Sequence, residues 1–279
     1  MALSKRSNYF VSERDAILRK IPSNAGDPIN HLIYGDWLRW LGETKGAWEK
    51  VRCRGDEGWI RNNLFGIERV LEVNFVDIGQ GDGTHVVTPD DKVIVIDAGK
   101  TDNMYRFLSW RYNLRGRKVS GVDNVTPTTP GAQAPLHIEN AIISHPDLDH
   151  YYRFKSLFEH PKISFGTICH NGIVERPVSK SDRAAVKNKK ELRIFYDLGT
   201  AVKYDNGQTY LLDTIDSDRA MRELIKKHKD TPKKFLSTLR AAVENRANKE
   251  LKFKALSSRD KFLPGYEASN KIDILLDAS

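Results

Sequence analysis

The sequence predicts an α/β domain over residues 67–279, preceded by a small all-β barrel over residues 1–66. Three observations carry this. Before residue 66, short aromatic-rich segments are separated by glycine turns. After residue 70, apolar runs of strand length alternate with helical stripes. One of those runs, Ala141-Ile142-Ile143, leads straight into Ser144-His145-Pro146-Asp147-Leu148-Asp149-His150.

The barrel elements come first. Gly35-Asp36 is a turn signal, and Trp37–Gly42 and Trp48–Cys53 read as short strands. Gly55-Asp56-Glu57-Gly58 reads as a hairpin turn, with Trp59-Ile60 starting the returning strand. Trp37, Trp48 and Trp59 are the expected core. Leu18-Arg19, the Gly35-Asp36 turn, Trp48 with Val51, and Gly58-Trp59-Ile60 together resemble a bacterial SH3-like (SH3b) domain. The departure is Ile21-Pro22-Ser23-Asn24, where that family has a Ser-Gly-Pro run. Such modules bind peptides, glycans or a neighbouring domain, and the sequence does not select among these ligands.

The second region opens with a strand through Val70, Val73, Phe75 and Val76, then the turn Asp77–Gly83. His85-Val86-Val87 and Val93–Asp97 are two further strands, separated by Pro89-Asp90-Asp91. The glycines at 79, 81 and 83 do not make a dinucleotide fingerprint, because a strand follows them where that motif needs a helix. Met104, Phe107, Leu108 and Tyr112 form an apolar stripe on a helix over Asp102–Leu114, read as core. Val125–Pro135 is a proline-rich loop. After the motif, Tyr151, Phe154, Leu157 and Phe158 share one helical face, and His160-Pro161 ends that helix. Ile163–His170 is another strand, closed by Asn171-Gly172. Residues 216–248 read as two basic helices broken near Thr231-Pro232, and Ile272–Leu276 as a last strand.

The motif holds the chemistry. Four metal-capable side chains fall within six residues, as H-x-D-x-D-H, at the end of a strand. Side chains alternate along an extended segment, so His145 and Asp147 point the same way. Pro146 keeps His145 extended. Asp149 and His150 then open the helix and face the same mouth. Imidazoles suit zinc-like ions, and the carboxylates admit manganese or iron. A cap needs one Asp, and this run offers two together with two imidazoles.

Composition bounds the setting. Charged residues make up 29% and hydrophobic ones 39%, as in ordinary soluble proteins. No apolar run approaches the roughly 20 residues of a membrane span, so no membrane association is expected of these residues. The first residues lack the apolar stretch of a secretory signal. Two distant cysteines, Cys53 and Cys169, suit a reducing, cytoplasmic compartment. The net charge is +8, and residues 176–260 hold 21 Lys/Arg against 12 Asp/Glu. That excess suits a polyanion such as nucleic acid and equally a solvated helical surface.

Three segments together resemble the metallo-β-lactamase fold, and more narrowly the hydrolase domain of the ComEC/Rec2 group. They are Phe75–Gly83 (that group's F-x-D-V-G-Q-G-D hairpin), Val95–Gly99 (its L-I-D-A-G strand end) and Ser144–His150. The resemblance covers residues 70 to about 155 and implies an αββα sandwich binding two zinc or manganese ions. His145 and Asp147 would bind the first ion, and Asp149 and His150 the second. Asp97 would orient ligands from behind, and Asp82 would stand near the mouth. The implied reaction is hydrolysis of a phosphodiester in nucleic acid or a nucleotide by metal-activated water, with Asp149 also orienting that water or taking its proton. Hydrolysis of another ester or amide, such as a lactam or lactone, stays open. Position 147 is Asp where the broader fold has His, which favours harder ions. His170, closing the strand beside the motif strand, is the candidate third ligand. His160 reads as structural and His228 as part of a solvated run. No late Asp and His complete the set, so the chain is expected to be the N-terminal part of a longer protein or a degenerate member, with an incomplete sandwich. The alternative is a non-catalytic binding or scaffold protein that works through its SH3-like module.

Overall fold

The computed structural model describes residues 3–4, 8–129, 132–174, 201–203, 209–211, 214–229 and 234–256. The chain divides into two compact units, residues 1–72 with 87–91 and residues 73–86 with 92–279.

The first unit is an antiparallel half-barrel sheet. Its strands are β1 (Tyr9–Val11), β2 (Ala16–Arg19), β3 (Pro28–Leu32), β4 (Trp37–Lys45), β5 (Trp48–Cys53), β6 (Asp56–Arg61) and β7 (Phe65–Gly66). They lie in the order β3-β2-β6-β5-β4-β1-β7. The β5–β6 hairpin closes on Arg54 (φ 50°) and Gly55 (φ 92°), with Cys53 opposite Asp56. Two left-handed residues match the twist of the flanking strands. The turn therefore sits earlier than the Gly55–Gly58 stretch that the sequence suggested, and Gly58 is a strand residue.

Tyr9, Val11, Leu18, Leu38, Val51 and Ile60 pack as the core of this unit. Trp48 and Trp59 are buried, but Trp37 is 44% exposed and is not the core residue expected. Alternation along β4 is the reason: Leu38 faces inward, so Trp37 faces out. Trp40 is half-buried, and its Nε1 donates to buried Glu49 at 2.9 Å.

The second unit is built around a six-stranded sheet in the order β15-β12-β11-β10-β9-β8. Its elements are β8 (Glu72–Asp77), β9 (Asp82–Val87), β10 (Val93–Ile96), α1 (Asn103–Arg111), β11 (Leu136–Ile143), α2 (Leu148–Tyr151), α3 (Phe154–Phe158), β12 (Ile163–His170), α4 (Asp218–Lys227), α5 (Lys234–Glu244) and β15 (Lys252–Ala255). A separate antiparallel pair joins β13 (Ala201–Lys203) to β14 (Thr209–Leu211). β10, β11, β12 and β15 run parallel. Their buried apolar runs, such as Val93-Ile94-Val95, are those of strands covered on both faces.

Register brings three strand ends to one edge. Ile96 pairs with Ile142, and Ile143 pairs with His170. Asp97, Ser144 and His170 thus cluster at the carboxyl ends of parallel strands, where open α/β sheets place their ligands. The helix after the motif is two short helices rather than one. The Arg153 amide donates to the Gly99 carbonyl at 3.0 Å instead of continuing the helical ladder. Met104 and Leu108 of α1 are buried, as the stripe requires. β15 had no counterpart in the sequence reading. Thr231-Pro232 and residues 272–276 lie outside the described residues.

Candidate functional site

Asp97 is the anchor of the motif. It follows the last residue of β10, is 4% exposed, and has a left-handed backbone (φ 53°). For a residue with a Cβ this conformation is uncommon, and Asp tolerates it better than most. Its amide donates to Ile142 O at 3.0 Å, which holds the strand end in place. Its carboxylate then takes three bonds from the motif. Oδ1 accepts the Ser144 amide at 3.0 Å. Oδ2 accepts the Ser144 hydroxyl at 2.6 Å and His150 Nδ1 at 2.8 Å.

Ser144 couples the two imidazoles. Its single proton goes to Asp97, so its oxygen can only accept. It receives His145 Nδ1 at 3.0 Å and stands 3.3 Å from His150 Nδ1. Both rings are thereby assigned the Nδ1–H tautomer, on the strength of this hydrogen-bond network. Both Nε2 atoms are left with lone pairs. The rings lie against each other, centroids 3.7 Å apart. The motif carboxylates flank them: Asp147 Oδ2 is 3.6 Å from His145 Nε2, and Asp149 Oδ2 is 3.9 Å from His150 Nε2.

The backbone closes around the same point. The amides of Ala98 and Gly99 donate to His150 O at 2.8 and 3.2 Å. Gly81 (φ +79°) passes over the His150 ring, where an added Cβ would lie 3.6 Å from Cε1. Asp82 opens β9 next to it, and its side chain lies outside the described residues.

His170 is 2% exposed at the end of β12. Burial pushes its pKa down to about 4, so it is neutral at ordinary pH. Its Nδ1 accepts the Gly172 amide at 3.0 Å. The ring proton is therefore on Nε2, which is buried without a hydrogen-bond partner among the described residues. In this tautomer Nε2 has no lone pair for a metal. Ligation requires the ring to release Gly172.

The donor set suits a divalent ion in kind. Two Nε2 lone pairs have carboxylates beside them, and a histidine bonded through Nδ1 to a carboxylate is the usual support of a metal-binding imidazole. Among the described residues, however, no three His, Cys, Asp or Glu side chains gather as a group able to hold a metal ion. The motif offers two His–Asp pairs, and the Nδ1 of His170 is taken by the Gly172 amide.

Further carboxylates and a histidine later in the chain have other partners or are exposed. Asp218 accepts the Phe253 amide at 2.9 Å and Arg222 Nε at 2.8 Å, Asp216 is exposed, and Asp213 lies outside the described residues. His160 receives the Lys162 amide at 3.2 Å, and burial lowers its pKa. Ser144 is the residue that sequence reasoning missed. Its one signal was its place between a strand end and the first histidine. No protein-family model matches this chain, and no curated protein matches it.

Proposed function

We propose that the second unit is a metal-dependent hydrolase of phosphodiester bonds in nucleic acid or nucleotides, built on a metallo-β-lactamase-like sandwich of the ComEC/Rec2 kind. The observation that carries this reading is the Asp97–Ser144 network, which turns two adjacent Nε2 lone pairs toward two carboxylates. His145 with Asp147, and His150 with Asp149, would hold the ions, zinc or manganese. His170 would join them only after its ring turns. A divalent ion there supplies a Lewis acid and an acidified water. Asp149, besides holding an ion, would be the carboxylate placed to orient a water or take a proton. Asp97 is a positioning residue that fixes the His150 ring. Asp82, at the hairpin, completes the mouth. The basic excess of residues 176–260 suits a polyanionic substrate.

The first unit is proposed to be an SH3-like binding module spanning residues 1–66. Cys53 and Cys169 are both free and buried, which suits a cytoplasmic location. No helix among the described residues is long and apolar enough to cross a membrane.

The absence of a three-donor group among the described residues favours a second reading, a scaffold that binds through the first unit. Metal content by mass spectrometry and hydrolysis of bis(p-nitrophenyl) phosphate and a DNA oligonucleotide, with manganese or zinc added, separate the two. The hydrolase reading expects bound metal, lost in His150→Ala and Asp149→Ala; with an incomplete ligand set, turnover of these 279 residues alone is expected to be little or none, and any turnover should be lost in the same variants. Asp97→Ala should weaken metal binding by about 10–100-fold, because the His150 ring loses its support. A wild-type chain that neither retains metal nor hydrolyses either substrate is the scaffold.

A further inference from the structure

We propose that a cleft between two helices of the second unit binds a phosphate group; that this phosphate belongs to a substrate rests on the hydrolase reading. The cleft encloses about 340 Å3 between α3 and the first turns of α5. Arg153, Lys155 and Lys234 line it together with the carboxylate of Glu159. Glu159 does not neutralise the cluster: its ion pair among the described residues is with Lys155, at 3.7 Å, and both side chains are about half exposed. Tyr152 organises the cations. Lys234 Nζ lies 5.0 Å from its ring centroid and Arg153 Cζ 5.5 Å. Arg153 is further held by its Nε, which donates to Lys100 O at 2.7 Å.

A second, independent observation lies in the floor. Thr238 lines the cleft and is 1% exposed, yet its hydroxyl has no hydrogen-bond partner among the described residues. A buried hydroxyl left unpaired is costly, and such groups call for an explanation. An acceptor oxygen bound in the cleft would satisfy it once the Thr238 side chain turns toward that oxygen. Ser237, beside it, adds another hydroxyl. The site offers ammonium, guanidinium and hydroxyl donors to a single compact acceptor, which is the chemistry of phosphate recognition.

The test uses the full chain without metal, at low salt. Thermal shift and calorimetry would follow binding of inorganic phosphate, a nucleoside monophosphate and a twelve-residue oligothymidylate. Wild type should be stabilised by all three. The exposed double variant Lys155→Ala/Lys234→Ala should lose about tenfold or more in phosphate affinity. Thr238→Val should melt higher than wild type when free, and should gain less from phosphate. Tightest binding of the oligothymidylate assigns the cleft to a strand backbone; tightest binding of inorganic phosphate assigns it to the free anion. Absence of phosphate binding to wild type, or equal responses in wild type and the variants, overturns the proposal. His150→Ala should keep the phosphate response whatever its effect on cleavage. An intact phosphate response in a chain with no metal and no turnover therefore defeats the hydrolase reading alone.

Discussion

Ser144 donates its only hydroxyl proton to Asp97, and this decides which nitrogen of His145 and His150 carries hydrogen. His170 shows the opposite outcome nearby, because a backbone amide reaches its Nδ1 first. Its depressed pKa has a consequence for stability. The unfolded chain takes up a proton at His170 near pH 6.5, whereas the folded chain does so only near pH 4. Between those values the unfolded state binds more protons, so stability is complete above pH 6.5 and falls as the pH drops toward 4. A shift of this size corresponds to about 3 kcal/mol. Urea denaturation of chelator-treated protein at pH 7 and pH 4 should show this loss. His170→Asn can still accept the Gly172 amide and does not titrate, so its stability should depend less steeply on pH. Equal slopes for variant and wild type would mean that His170 is not the group responsible. Of this site, the residue types were legible in the sequence. The tautomers were not, because each depends on a partner delivered by another strand.

The Asp97-Ala98-Gly99 turn decides how β10 meets α2. Asp97 (φ 53°) and Gly99 (φ 70°) turn the chain so that two consecutive amides face the His150 carbonyl. Gly99 has no room for a side chain: an added Cβ would lie 2.5 Å from Ile78 Cβ and 2.7 Å from Ile78 O. Gly99→Ala is expected to cost about 2–4 kcal/mol, from positive φ and the clash together. Chemical denaturation measures this directly, and a cost below about 0.5 kcal/mol would show that the turn relaxes easily. The same turn explains the break between α2 and α3, since Gly99 O captures the Arg153 amide. Apolar spacing at Tyr151, Phe154, Leu157 and Phe158 correctly marks one buried face, but it carries no information about that diverted amide.

Over the whole chain, the two cysteines report on the two units separately. Cys53 is buried in the core of the first, and burial, aided by the Asp36 carboxylate, raises its pKa to about 11. Cys169 is buried in β12 of the second. A thiol that is covered and protonated reacts slowly, so neither should label at pH 8 until its own unit opens. Mass-mapped labelling across a urea series is expected to give two transitions, one per cysteine. Coincident transitions under all conditions would show that the chain unfolds as one cooperative body.

The sequence by itself determined the inventory and the local periods. Alternation and glycine turns marked the β hairpins of the first unit, apolar runs marked the buried strands of the second, and H-x-D-x-D-H marked the chemistry. Those signals are local, because side-chain direction repeats every two residues in a strand and every 3.6 in a helix. Tertiary structure alone decided which donors meet. Asp97 reaches Ser144 across 47 residues and His150 across 53, through a register set by sheet packing. It also turned Trp37 outward, set His170 Nδ1 on Gly172, and brought Thr238 of α5 into the same cleft as Arg153 and Lys155. Hydrogen-bond direction and burial follow from which surfaces come together, and no periodicity in the chain encodes that.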